Sequence, residues 1–256
     1  MRSVAEFAYA QARIEARHGE RLQDSDWKNL ESAQSLSRYL ELARSTSLKR
    51  FLAQVGPDLS AHAIERVLRR EAALYVGEIA AFAPRRWRPA IAWLAALPLL
   101  PLVEGLGERA SPPDWLSDDA TLGTLSASGT DAPDAVVRRL ARLVDDGAAP
   151  AEIGCRWLRR WRALWPNGDA AAADLGRLVG ETLRALASAG GRQEAAGGQS
   201  FRGDLGRALT RFFRSHVASP VALVCHVGLV LIDVERLRGG LARRSLFGAD
   251  EERIAA

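Results

Sequence analysis

Between Ser60 and Pro84 the apolar residues Ile64, Val67, Leu68, Tyr75, Ile79 and Phe82 fall on one stripe of a 3.6-residue period. Arg66, Arg69 and Arg70 lie mostly off that stripe. Such a period over so long a run demands a helix with one face in a core. Ser60 suits its N-cap, and Pro84 cannot continue it. The same period recurs through most of the chain. Val4, Phe7, Ala8 and Gln11 begin a face that runs to about Arg17, where His18-Gly19 predicts a left-handed glycine end. Asp24 or Ser25 can cap a short helix carrying Trp27 and Leu30, and Ser35 another carrying Leu36, Tyr39, Leu40 and Ala43. Leu48 to Val55 reads as a turn or two before Gly56-Pro57. Trp87 to Leu97 reads as a buried helix kinked or stopped at Pro98. Further helices are expected over Asp134–Val144, Pro150–Trp165, Asp169–Ala187, Phe201–His216 and Pro220–Arg238, with Gly239-Gly240 ending the last. No run alternates as a half-buried strand would. The expectation is an all-α fold of about ten helices in bundle-like subdomains.

Two stretches interrupt the pattern. Residues 107–133 are rich in Gly, Ser, Pro and Asp and read as a linker, with Trp115, Leu116 and Leu122 suggesting a docked helix inside it. Residues 188–200 read as a flexible loop. The division expected is an N-terminal helical subdomain over 1–110, a middle one over 111–200, and a C-terminal helical segment over 201–256 that packs back on the rest.

The 256 residues are 48% hydrophobic and 26% charged, enough apolar chain for a real core and too much for general disorder. The net charge is +4. Of the 35 basic residues only Lys28 and Lys49 are lysine, which leaves 33 arginines. With so much alanine and glycine beside them, the arginines partly reflect GC-rich coding, so the charge is weak evidence for a polyanionic partner. Cys155 and Cys225 stand too far apart for a metal or redox motif, and Cys225 in its apolar run reads as a buried free thiol. The first twenty residues lack the apolar core of a secretory signal. Val221 to Ile232, the longest clean apolar run, falls short of the ~20 residues that cross a bilayer. These features lead to an expected place in the cytoplasm, free or docked to something larger.

Several chemistries fail on inspection. Neither lysine lies in the Gly-Lys-Ser/Thr that a P-loop needs to reach terminal phosphates. His18, His62, His216 and His226 are scattered, with no His-Glu-x-x-His, and there is no Gly-x-Ser-x-Gly elbow. Gly105-Leu-Gly107-Glu-Arg-Ala110 matches a loose dinucleotide fingerprint, but prolines flank it where a strand and a helix are required, so it reads as a loop. No catalytic constellation, metal site or cofactor site emerges. His226 reads as a hydrogen-bonded core residue. Glu71 and Glu78 pair more naturally with nearby arginines than with each other.

Interfaces remain as the functional content. Ile153, Trp157, Trp161 and Trp165 recur every four residues amid Arg156, Arg159, Arg160 and Arg162. They form a core-facing stripe edged by arginine stems, a protein interface, or a nucleic-acid surface on which bases stack. From Phe201 to Gly248 eight arginines face Asp204, Asp233 and Glu235, either an electrostatic docking surface for an acidic partner or an ordinary solvated face.

Two segments resemble a known family. Tyr9-Ala10-Gln11-Ala12-Arg13-Ile14-Glu15-Ala16-Arg17, followed by Leu36-x-x-Tyr39-Leu40-x-x-Ala43-x-x-Thr46, resembles the opening of the V/A-type rotary ATPase central-stalk subunit, called C in prokaryotes and d in eukaryotes. Ile64-Glu65-Arg66-Val67-Leu68-Arg69, running to Phe82-Ala83-Pro84, resembles its next long helix. Asp233-Val234-Glu235-Arg236-Leu237-Arg238 resembles the close of its last repeat, with Arg236 replacing an asparagine. The match covers the two ends. The family is longer, with three similar helical subdomains, and the internal Asp-x-x-Asn-x-Lys repeats are missing from this chain's middle. The resemblance implies a non-catalytic cytoplasmic socket between the central shaft and the membrane rotor ring, a pseudo-repeat of helical subdomains, no cofactor, no direct nucleotide, and membrane association only through the complex. Arg236, Leu237, Arg238, Arg243 and Arg244, with Trp157 and Trp161, are the expected partner-interface residues. The rival reading is an arginine-rich helical adaptor for an acidic protein or RNA.

Overall fold

The computed structural model describes residues 2–107, 152–190 and 196–254. It is all-α, with no strand among these residues. In chain order the helices are α1 (Arg2–Gly19), α2 (Asp24–Glu31), α3 (Leu36–Arg44), α4 (Ala61–Phe82), α5 (Arg88–Ala92), α6 (Leu100–Gly107), α7 (Ile153–Ala163), α8 (Ala171–Gly190), α9 (Ala196–Ser215) and α10 (Pro220–Ile254). Two 3₁₀ segments, Ser47–Phe51 and Trp93–Leu99, join α3 to α4 and α5 to α6. The expected linker over 107–133 and helix over Asp134–Val144 lie outside the described residues beyond Gly107.

Helix α10 is the spine. Val221, Ala222, Leu223, Val224, Cys225, His226 and Val227 are all buried, so its first turns are covered on every side. A helix apolar all round has to be enclosed, and α1, α3, α4, α8 and α9 pack around it. One continuous core runs from Phe7 on α1 to Leu241 on α10. No described helix is long and apolar enough to cross a membrane.

Local chemistry explains the element starts. The Ser35 and Ser60 hydroxyls accept from the backbone N–H of Arg38 and Ala63 at 3.2 and 3.3 Å. The N-cap of α2 is Gln23, one residue before the expected Asp24, and the Asp26 carboxylate takes the Gln23 N–H at 2.8 Å. The turn into α10 places Ala218 at φ 53°, unusual for alanine. Gln11 holds it there, its side-chain oxygen accepting the Ala218 N–H at 2.9 Å.

Five sequence expectations change. Gly19 is the last residue of α1 but has no positive φ, so it closes the helix without the left-handed turn. Trp87 to Leu97 is not one helix: α5 gives way to 3₁₀ turns that carry Pro98 inside them, which lets Trp93, Leu94, Ala96 and Leu99 all turn inward. Gly105 to Gly107 belongs to α6 rather than to a loop. Helices α8 and α9 also extend into the expected loop over 188–200, as far as Gly190 and from Ala196. The largest change is at Gly239-Gly240, which α10 passes straight through.

Candidate docking groove

The expected tryptophan surface faces the core. Trp157 and Trp161 are buried, stacked on one another at 5.6 Å between ring centroids, with Trp93 at 6.4 Å from Trp157. The Trp161 indole N–H donates to the Ala90 carbonyl at 2.9 Å, and that of Trp93 to the Trp157 carbonyl at 3.3 Å. These rings join α7 to the α5 region and cannot meet a partner directly. The arginines around them are edging.

The basic C-terminal set divides in the same way. Leu237 is fully buried. Arg244 is 5% exposed, and its guanidinium lies 4.1 Å from the Tyr39 ring centroid. It donates to the Ala33 carbonyl at 2.8 and 2.6 Å, to that of Glu31 at 2.8 Å and to that of Gly240 at 2.9 Å. The Glu31 and Ala33 carbonyls close α2, so Arg244 serves orphan acceptors at the negative end of that helix. Leu237 and Arg244 therefore hold the fold together rather than face a partner. Arg238 spans two helices, reaching Glu235 at 2.8 Å and Glu65 on α4 at 3.2 Å. Burial lowers its pKa, but the two carboxylates outweigh that and raise it. Arg243 is exposed. Arg236 pairs with Glu31 at 2.6 Å and lies over Trp27 at 4.6 Å from the ring centroid.

Arg236 borders an open groove of about 680 Å³ between the chain after α1, α2, α9 and α10. Arg21 lines the wall that faces α9. Its guanidinium grips Asp233 through two bonds of 2.7 and 3.0 Å and reaches toward the Leu229 carbonyl. Burial raises the Asp233 pKa against the opposing pull of Arg21. From α9 come Arg207, Arg211 and Arg214 at i, i+4 and i+7, beside a row of small residues, Gly203, Gly206 and Thr210. Arg207 pairs with Asp204, and Arg211 with Glu181 at 2.9 Å. Arg214 is exposed and has no ion pair with a described carboxylate. Sequence reasoning counted these three arginines in the basic segment but did not single them out. Their spacing puts them on one helix face, a signal legible in advance. The facing wall was not, because Arg21 and Trp27 come from the other end of the chain.

Helices α4 and α10 also share a buried polar cluster. The Tyr75 hydroxyl and His226 Nε2 lie 2.6 Å apart, confirming His226 as a hydrogen-bonded core residue. His18 stacks on Phe213 at 4.2 Å and approaches His226 edge-on. Burial first, then the charges of His18, Arg21, Arg17 and Arg50, push the His226 pKa down to about 3. Cys225 is buried as expected, its thiol pushed up to about 12, while Cys155 is exposed. Glu78 pairs with Arg17 and Arg50, each at 3.0 Å, and Glu71 with Arg70 at 2.8 Å. No group of three His, Cys, Asp or Glu side chains among the described residues is arranged to hold a metal ion.

Comparison with known proteins finds no matching family, no similar curated protein and no similar solved structure.

Proposed function

We propose that the chain is a non-catalytic docking subunit, and that the assembly it serves is the central stalk of a V/A-type rotary ATPase, between the central shaft and the membrane rotor ring. One observation carries the reading. The segments that resemble the stalk family lie at opposite ends of the sequence, yet they pack on one another. Tyr39 of the N-terminal motif lies against Gly240 and Arg244, just past the C-terminal motif. Asp233 of that motif anchors Arg21, which follows the first helix. Arg238, from the same motif, ties to Glu65 on α4, within the resembling Ile64–Arg69 stretch. The quoted residues thus meet in one body, as they would if they preserved a shared scaffold. In this reading the protein occupies the cytoplasmic side and reaches the membrane only through the complex. It uses no cofactor and hydrolyses nothing.

Purification of the tagged full-length chain from detergent-solubilised native membranes tests the assembly. Co-purification of shaft and rotor-ring subunits is the expected result. Recovery of the chain with neither would end the stalk reading.

The arginine-lined groove favours a second reading, an adaptor for an acidic protein. The nucleic-acid form of that reading has less support, because Trp157 and Trp161 are packed inside.

A further inference from the structure

Three features of the groove bear on what could lie in it. The first is its charge. Arg207, Arg211 and Arg214 form a row spanning about 10 Å along α9. The side chains of Arg207 and Arg211 are 74% and 66% exposed, and the carboxylates they hold are exposed or half-buried. Exposed pairs of this kind contribute little to stability and exchange readily for a better partner. Arg214 is already available.

The second is the floor. Gly203 and Gly206 lie inside a helix, where glycine is less favourable than alanine. Packing among the described residues does not require Gly206, since a Cβ there would meet none of them within 4 Å. At Gly203 a Cβ would meet only the Arg207 side chain, at 3.4 Å. With Thr210 they leave a shallow bed beside the arginine row, low enough for another backbone to approach.

The third is what the groove lacks for nucleic acid. Binding to single strands relies on aromatic faces open to bases. Trp27, the one aromatic among the lining residues, is 2% exposed and covered by the Arg236 guanidinium.

We infer that this groove receives an acidic α-helix of a protein partner, laid along α9 with carboxylates at i, i+4 and i+7 opposite Arg207, Arg211 and Arg214 and its backbone close over Gly203 and Gly206. The inference deepens the docking reading and does not depend on which assembly the chain joins.

The test uses the full-length chain and a fluorescent alanine-based helical peptide with glutamates at that spacing. A glutamine version of the peptide and a labelled oligouridine serve as comparisons. The glutamate peptide is expected to bind at least about tenfold more tightly than the glutamine peptide and to weaken as salt rises. The double variant Arg207→Glu with Arg214→Glu should lose that preference. Gly206→Leu, which raises the floor without altering charge, should weaken the peptide several-fold while thermal melting stays at or above that of the unmodified chain. Equal binding of both peptides, or unchanged binding by the double variant, overturns the inference. So does oligouridine binding more tightly than the glutamate peptide. The membrane purification separates this outcome from the stalk reading. If the double variant still recovers rotary subunits, the groove is not the docking site although the stalk reading stands. If the unmodified chain recovers none but distinguishes the peptides, the stalk reading fails and the groove stands.

Discussion

Tyr39 and Gly240, two hundred residues apart in sequence, touch so closely that α10 has no room for a side chain at position 240. A Cβ there would collide with the Tyr39 hydroxyl and the ring carbon that bears it, and would lie 3.1 Å from a further ring carbon. Tyr39 cannot easily retreat. It is fully buried, and the Arg244 guanidinium stacks on its ring. Its hydroxyl has no hydrogen-bond partner among the described residues, and burial pushes its pKa up to about 12. The glycine is therefore the side of the contact that yields, and α3 closes on α10 through it.

Gly240→Ala should therefore destabilise the protein despite alanine's greater helix propensity. Overpacking of a filled site costs about 1–3 kcal/mol, against a propensity gain of about 1 kcal/mol. Gly239→Ala is the internal control: position 239 is exposed, and a Cβ there would meet nothing within 4 Å. The expected result is a lower melting temperature for Gly240→Ala and an equal or higher one for Gly239→Ala. Equal shifts of the same sign would show that the glycine pair acts through helix propensity alone.

That pair also shows where sequence reasoning reached its limit. Ser35 and Ser60 were legible as caps because capping is settled within four residues of chain. The stripes on α3 and α4 were legible because burial imposes a period. A double glycine after an apolar helix looks like a stop for equally local reasons, but the reason for Gly240 is Tyr39, which no local rule can reach. The same holds for the groove. The arginine row on α9 could be counted from its spacing, whereas Arg21 on the opposite wall is placed by its long-range bond to Asp233. Trp157 and Trp161 had a regular period that fitted core and surface equally well, and only packing against Trp93 decides between them.

Neighbouring Arg243 and Arg244 should respond very differently to substitution. Arg244→Ala strips donors from the buried carbonyl of Ala33, which costs about 1–3 kcal/mol if left unsatisfied, and from the part-buried carbonyl of Glu31. Arg243→Ala touches an exposed side chain and should stay within about 0.5 kcal/mol of the unmodified chain. Denaturant unfolding of the two variants measures the contrast. Similar midpoints would mean that the Arg244 bonds contribute nothing net.

Charge exchange can separate a fold contact from a partner contact at Arg238. Arg238→Glu sets a third carboxylate beside Glu65 and Glu235 and should cost about 1 kcal/mol, the upper end for a partly exposed pair. Adding Glu65→Arg restores one opposite-charge pair and should recover part of that loss, a coupling that a double-mutant cycle reads directly. If Arg238→Glu also lowers retention on membranes while the double variant regains stability but not retention, Arg238 contacts a partner as well. Recovery of both together would make it a structural arginine only.

Acid should weaken the fold through His226. Its folded pKa of about 3 lies below the ordinary histidine value of 6.5 because burial disfavours the cation, and the groups facing it, His18, Arg17, Arg21 and Arg50, add to that effect. The unfolded chain consequently binds the proton first. The contribution of neutral His226 is fully present above pH 6.5 and is lost progressively as pH falls from there toward 3. The slope is at most about 1.4 kcal/mol per pH unit. His18, also lowered by burial and by Arg21 and Arg214, acts in the same direction. Asp233, raised by burial, acts in the opposite direction lower down, near the carboxylate range. Unfolding free energies measured between pH 7.5 and 5 should therefore fall more steeply for the unmodified protein than for His226→Gln. The variant will be less stable at neutral pH, because the bond to Tyr75 is lost, so the comparison rests on slope and not on absolute stability. Parallel pH profiles for the two proteins would remove His226 as the group that takes up the proton on unfolding.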